Sequence, residues 1–360
     1  MHSNARKNII YSIILLIVVF LVYLYRQQDS RPKESITPQQ QRMVVTGSTM
    51  GTTYRVVYLD EQRRDFKKGI DSLLRVFNQS LSTYIPDSEL SRFNMEDSIR
   101  FNLPYFYPVL KVSKEVYEQT EGAFDPTVGP LVNTWGFGPD SASRKDSTAI
   151  RELLKVVDFD LVEFDSLGAK KRNPEVYLDF SAIAKGYGVD VLAAYLQEKG
   201  ISDMLVEIGG ELVARGENEN GELWRVGVSQ PDEKGKAEEL YSIIALDNQA
   251  LATSGNYRNF YVVDGQKFSH TINPITGYPV QHGLLSATVL AKDCMLADAY
   301  ATAMMVIGTQ ASIELQKKVA DLEILLIYND EEGQVKSFVS PGLEPFITMV
   351  KEDKENSEDN

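Results

Sequence analysis

The chain has 360 residues, 43% apolar and 24% charged, which is ample material for a large core and excludes disorder, collagen and a multi-spanning membrane protein as descriptions of the whole. Its 51 acidic and 37 basic residues give a formal net charge of −14, which excludes a generic nucleic-acid binder, because phosphate neutralisation needs a basic face. An anionic ligand would need a local device such as a metal ion or backbone amides. One cysteine, Cys294, and three histidines rule out an intramolecular disulfide, a multi-thiolate zinc site and a His-rich metal centre.

Residues 9–25, IIYSIILLIVVFLVYLY, contain only Ser12 that is neither apolar nor aromatic. As a helix the run covers about 26 Å, close to the ~30 Å of a bilayer core. Arg6 and Lys7 precede it and Tyr23 and Tyr25 close it. The positive-inside rule then carries the rest of the chain across the membrane, as for a single-pass protein of a bacterial inner membrane with its body on the periplasmic side. The alternative is a cleaved signal peptide. Tyr25, Arg26, Gln27 and Gln28 offer no small-x-small cleavage site, which favours a retained anchor over residues 1–25. No cysteine follows the run to carry a lipid. Residues 26–42, rich in Gln, Pro and charge, read as a flexible tether, and residues 351–360 as an acidic, disordered tail. One continuous body, residues 43–350, lies between them without a repeat.

Within the body, Thr53–Leu59 alternates like a strand, and Phe66, Ile70, Leu73, Phe77 and Leu81 recur at helical spacing. Further helices are expected at Pro108–Gln119, Ile150–Val157, Ile183–Lys199 and Asp293–Ile307. Strands are expected at Val176–Phe180, Met204–Ile208, Glu211–Ala214, Leu223–Ser229, Tyr241–Leu246 and, fully buried, Leu322–Tyr328. Several strands succeed one another without intervening helices, so an α+β body is expected rather than a doubly wound parallel sheet.

Four segments have the composition of a site. Residues 48–54, STMGTTY, form a small-residue loop entering a strand, or simply a turn. In residues 117–137, Gly122, Pro126, Gly129 and Pro130 prevent a long helix and leave Phe124, Asp125 and Trp135 on irregular backbone, either lining a pocket or forming a buried connector. Residues 179–188, DFSAIAKGYG, open a helix with small residues and Lys185. Backbone amides there could meet a phosphate, or Asp179 could cap the helix with Lys185 solvated. The P-loop order is absent. Nearby, Gly209 and Gly210 in EIGGE make a turn or bulge that permits close approach of a ligand. The fourth segment pairs SHTINPITGYP, residues 269–279, with Asp298 and Thr302. Four residues apart on a helix, these two present a carboxylate and a hydroxyl on one face. Oxygen ligands of that kind suit Mg²⁺, and the alternative is an internal hydrogen bond. The flanks of Asp298 are nearly all apolar, so its buried carboxylate needs a cation or strong donors.

Together, STMGTTYRV, STYIPDSELSRFN, EGAFDPTVGPLVNTWGFG, DFSAIAKGYGVD, EIGGELVARG, SHTINPITGYP and DAYATAMMVIG occur in the order seen in ApbE-type flavin transferases. The chain resembles this FAD:protein FMN transferase family from about Met43 to Ile347. The resemblance implies a T-fold-related α+β catalytic body. It also implies a Mg²⁺-dependent enzyme that splits FAD and attaches FMN through a phosphoester to a threonine of a target protein, releasing AMP. Matched residue by residue, Met50, Tyr84, Ala123, Phe124, Asp125, Asp179, Lys185 and His270 fall on flavin-nucleotide contacts. Ala182, through its carbonyl, and Asp298 and Thr302, through their side chains, fall on metal ligands. Asn273 stands where Asp is common, which removes a charge but keeps an acceptor. The resemblance further implies acceptor subunits of membrane redox complexes. His270 is either the proton acceptor or a purely binding residue that packs the adenine or bridges phosphate, with Asp179 as the alternative carboxylate and Lys185 as a phosphate holder. The rival expectations are a Mg²⁺-dependent FAD pyrophosphatase giving FMN and AMP, and a non-catalytic, membrane-tethered flavin-binding protein.

Overall fold

Alternating side chains followed by Met50 and Gly51, both with positive φ (49° and 72°), make a two-residue hairpin of β1 (Gln41–Thr49) and β2 (Thr52–Asp60). The computed structural model describes residues 41–137, 147–231, 239–256, 260–263 and 266–350, so the expected anchor, most of the tether and the tail lie outside the described residues. Among the described residues no helix is long and apolar enough to cross a membrane. They fall within one compact unit that begins at Gln41. The tether boundary at residue 42 moves accordingly, because Gln41 and Arg42 pair with Asp60 and Leu59 in β1. These polar residues sit on an edge strand, where one face needs no apolar side chain.

The helices follow their apolar periods. Ile70, Leu74, Phe77 and Leu81 are the buried stripe of α1 (Lys67–Leu81). The Ser88 hydroxyl caps α2 (Glu89–Met95) by accepting from the Ser91 amide. After β3 (Ser98–Arg100) come α3 (Phe106–Gln119), α4 (Gly129–Thr134), which Pro130 opens, and α5 (Ser147–Leu153), which lies ahead of the expected Ile150–Val157 because the helix already holds Ser147 and residues 154–157 leave it. The short strands β4 (Val162–Phe164) and β5 (Gly168–Lys171) precede α6 (Ala184–Glu198). The remaining elements are β6 (Met204–Ile208), β7 (Glu211–Arg215), β8 (Trp224–Ser229), β9 (Leu240–Leu246), β10 (Ala250–Gly255), β11 (Phe260–Val263), β12 (Gln266–Ser269) and β13 (Leu284–Ala291), then α7 (Cys294–Ile307), α8 (Thr309–Lys318), β14 (Glu323–Asn329), β15 (Val335–Val339) and β16 (Ile347–Met349).

Eight strands form the main sheet in the order β1-β2-β6-β7-β10-β13-β14-β15. Every neighbouring pair is antiparallel, as an α+β body requires. Smaller sheets are β16-β9-β8 and β3-β5-β4, with β11-β12 as a hairpin. The period of two divides each central strand between two cores. On β14, Ile324 and Leu326 face the helices, whereas Leu325 and Ile327 face the β16-β9-β8 layer with Trp224 and Ile244. Burial on both faces is why this strand reads as a continuous apolar run.

Residues 176–180 differ from expectation. Val176, Leu178 and Phe180 are buried in strand-like alternation, yet no strand pairs with them. The Asn94 side chain replaces the ladder: Leu178 N–H donates to Oδ1 at 2.8 Å and Nδ2 donates to the Leu178 carbonyl at 2.9 Å. The Asp179 amide donates to the Pro126 carbonyl at 2.7 Å. Asn94→Ala orphans both backbone groups of Leu178, and chemical denaturation is expected to show a loss of about 1–3 kcal/mol.

Candidate functional site

The site is built where α6 meets α7. The Ile183 backbone leaves the extended region as α6 begins, so Lys185 and Gly186 lie in its first turn. A Cβ on Gly186 would come within 2.3 Å of the Cys294 carbonyl, so only glycine lets the helices approach this closely. The Gly186 amide uses that approach to donate 3.0 Å to Asp298 Oδ2. No side chain at Asp293 caps α7. Asp190 of α6 does so from across the interface, its two carboxylate oxygens accepting from the Cys294 and Met295 amides at 2.9 and 2.8 Å. Burial pushes the Asp190 carboxyl up to about 7 against the pull of these two amides.

Asp298 is 2% exposed and Glu211, at the start of β7, 5%. Lys185 Nζ lies 2.8 Å from Glu211 Oε1 and 3.9 Å from Asp298 Oδ1. Burial works to lower the Lys185 pKa, but Asp298 and then Glu211 outweigh it, and the ammonium stays charged. Burial, followed by the charge of Asp298, raises the Glu211 carboxyl, and Lys185 pulls against both. One buried cation thus faces two carboxylates, and Glu211 Oε2 has no hydrogen-bond partner. Thr302, one turn beyond Asp298, has its hydroxyl 3.4 Å from that of Ser254 on β10. Among the described residues no group of three or more His, Cys, Asp or Glu is placed to hold a metal. The donors available are hard oxygens: the Asp298 carboxylate, the Thr302 hydroxyl and the Ala182 carbonyl in the turn before α6. That set fits Mg²⁺, whose remaining positions water and phosphate oxygens can fill, and the cluster's excess negative charge favours a cation.

The other expected residues lie on separate segments of the chain, each held by its own local contacts. Met50, in the β1–β2 turn, sets its methyl against Gly188 of α6. Ala123 and Phe124 are buried, and Phe124 shares a core with Phe180, Ile183 and Ala301. Asp125 is buried and its Oδ1 accepts from the Thr127 amide and hydroxyl at 2.7 and 2.6 Å. Asp179 does not cap α6. Its Oδ1 accepts from the Ser181 amide and hydroxyl at 2.8 and 2.5 Å, fixing the turn ahead of the helix. Tyr84 is 72% exposed, between α1 and α2. The His270 ring is edge-on to Phe137 with centroids 6.2 Å apart. Asn273 Oδ1 accepts from the Ile275 and Thr276 amides at 2.8 and 3.1 Å, so this turn uses only an acceptor, which Asn and Asp both supply.

Sequence reasoning singled out the glycines of EIGGE and passed over the glutamate beside them. It also missed Asp190 and Ser254. The available signal for Glu211 was an acid opening a strand whose next three residues, Leu212, Val213 and Ala214, are apolar.

The ApbE family model matches residues 50–326. The chain is 39% identical over 317 residues to the FAD:protein FMN transferase of Vibrio cholerae, an alignment covering 84% of this chain and 92% of that one. To the FAD:protein FMN transferase of Escherichia coli K12 it is 34% identical over 339 residues, 90% of this chain and 94% of the other. Among solved structures, the flavin transferase ApbE from Vibrio cholerae superposes with a TM-score of 0.77 at 37% identity, over 85% of this chain and 99% of its own. The Pseudomonas stutzeri flavinyl transferase ApbE does so with a TM-score of 0.76 at 29% identity, over 86% and 97%.

Asp190→Ala leaves the Cys294 and Met295 amides without acceptors, and a loss of about 1–3 kcal/mol is expected in denaturant unfolding. Burial raises the Asp125 carboxyl to about 6. A carboxyl whose folded pKa is raised lends stability below its unfolded value, near 4, and loses it as pH rises through the folded one. Relative to Asp125→Asn, the unaltered protein is therefore expected to lose on the order of 3 kcal/mol between about pH 4 and pH 6–7. Parallel pH-dependent slopes for the two proteins would contradict this.

Proposed function

The chain belongs to the ApbE family, and on that premise we propose that it transfers FMN from FAD to a threonine hydroxyl of a target protein with the help of Mg²⁺, releasing AMP. The observation that carries this reading is the buried cluster of Lys185, Glu211 and Asp298, one turn from Thr302 on α7 and short of positive charge. When bound on Asp298, Thr302 and the Ala182 carbonyl, Mg²⁺ would supply charge neutralisation for the FAD pyrophosphate.

This chain's residues do the rest. Lys185 is a point charge within reach of a phosphate beside Asp298, and the Met50 turn and the buried Ala123, Phe124 and Asp125 segment shape the walls around the nucleotide. The threonine oxygen attacks the FMN-side phosphorus in line, AMP departs, and the hydroxyl proton passes to His270 or to the Asp179 carboxylate. The acceptors in this reading are subunits of membrane redox complexes. The N-terminal apolar run holds the enzyme beside them, on the periplasmic side of a bacterial inner membrane.

The test is incubation with FAD, Mg²⁺ and a candidate acceptor, followed by in-gel flavin fluorescence and AMP assay. Covalent flavin on the acceptor with matching AMP is expected. Free FMN and AMP without labelled protein would identify a pyrophosphatase, and intact FAD would identify a flavin-binding protein. Asp298→Ala is expected to lower the Mg²⁺-dependent rate about a hundredfold or more. Unchanged turnover in that variant would remove Asp298 from the metal site.

A further inference from the structure

We infer that Glu211 is a positioning residue of this site: its carboxylate holds the Lys185 ammonium off Asp298 and so leaves Asp298 open to a divalent cation. The inference rests on the metal reading above.

Backbone geometry delivers Glu211 to this place. Ile208 and Glu211 are paired across a two-residue turn made by Gly209 and Gly210, with φ of 64° and 108°. Such a turn closes the β6–β7 hairpin tightly and sets the first residue of β7 at the end of the sheet, against the first turn of α6.

The two distances from Lys185 differ in kind. At 2.8 Å from Glu211 Oε1 the ammonium makes a charge-assisted hydrogen bond, whereas at 3.9 Å from Asp298 Oδ1 it interacts through charge alone. The other Asp298 oxygen, Oδ2, is engaged by the Gly186 amide. Oδ1 is therefore the oxygen a cation would take, and Lys185 is the competitor nearest to it. Without the Glu211 charge, a buried ammonium has one carboxylate within reach, and in this low-dielectric setting it closes onto Asp298. The second oxygen of Glu211 is buried and unpartnered, so Glu211 caps no backbone group through it, and the bond to Lys185 is the role the geometry supports.

A different account would have Glu211 attract the metal through its own charge. A double-mutant cycle separates the two, with Mn²⁺ alone as the probe, no FAD present, and free Mn²⁺ counted by electron paramagnetic resonance. Glu211→Gln is expected to weaken Mn²⁺ binding about tenfold or more. With Lys185→Met as background, the same change is expected to alter affinity by less than about threefold, because no ammonium remains to be held away. If Glu211→Gln fails to fold, Lys185→Met against the double variant still decides, since that pair carries no ammonium in need of a partner. A loss in the Lys185→Met background as large as about tenfold, or no loss in Glu211→Gln, overturns the inference. If the unaltered protein does not bind Mn²⁺, the metal reading itself falls, and this inference with it.

Discussion

The hydrogen bond from the Gly186 amide to the buried Oδ2 of Asp298 seats one of the two helices on which the site depends against the other. It exists because Gly186 lacks a Cβ and α6 can lie against the α7 backbone at Cys294. Asp190 secures the same interface a turn and more further along α6, by accepting from the first two amides of α7. Between these two clamps the relative height of the helices is fixed, and with it the positions of Lys185, Asp298 and Thr302. A carboxylate so thoroughly removed from water is tolerated because it has an amide donor on one oxygen and a cation within 3.9 Å of the other.

The sheet serves this interface by presenting a rigid floor. Its central strands are buried on both faces, the helices on one side and the β16-β9-β8 layer on the other. A strand packed on both faces cannot slip by one residue without exchanging its two cores. That constraint holds Glu211 of β7 and Ser254 of β10 opposite the two helices. Four separate stretches of chain, α6, β7, β10 and α7, thus deliver charged or hydroxyl groups to one place, none of them on a long loop.

The charge balance of the whole chain is misleading about its site. With a net charge of −14 the surface does not favour anions, and the local cluster is also negative, with two buried carboxylates to one ammonium. A cluster of this sign is poorly suited to a phosphate by itself and well suited to a hard cation that a phosphate can share. The polar turns that carry other expected residues are held by short-range acceptors: Asp125 on Thr127, Asp179 on Ser181 and Asn273 on Ile275 and Thr276. The Asn273 turn uses only an acceptor oxygen, which Asn and Asp side chains both supply.

Local signals in the chain were sufficient for much of this. Periods of 3.6 and 2 located α1, α3, α6, α7 and four of the eight strands of the main sheet, β2, β6, β7 and β14, but not β1, β10, β13 or β15, since burial of one stripe or one face imposes those periods. The ordered motifs carried the family, and the spacing of Asp298 and Thr302 placed them on one helical face. Three things could be decided only by tertiary structure. Residues 176–180 alternate like a strand, but a ladder needs a partner, and a side chain, Asn94, occupies that role. The polar edge strand at Gln41 and Arg42 has no apolar period to mark it, because an exposed edge buries too little to require one. Finally, Glu211, Asp190 and Ser254 join the site across separations of tens of residues. No local pattern records such contacts, because a buried charge is recognised by what surrounds it in space and not by its neighbours along the chain.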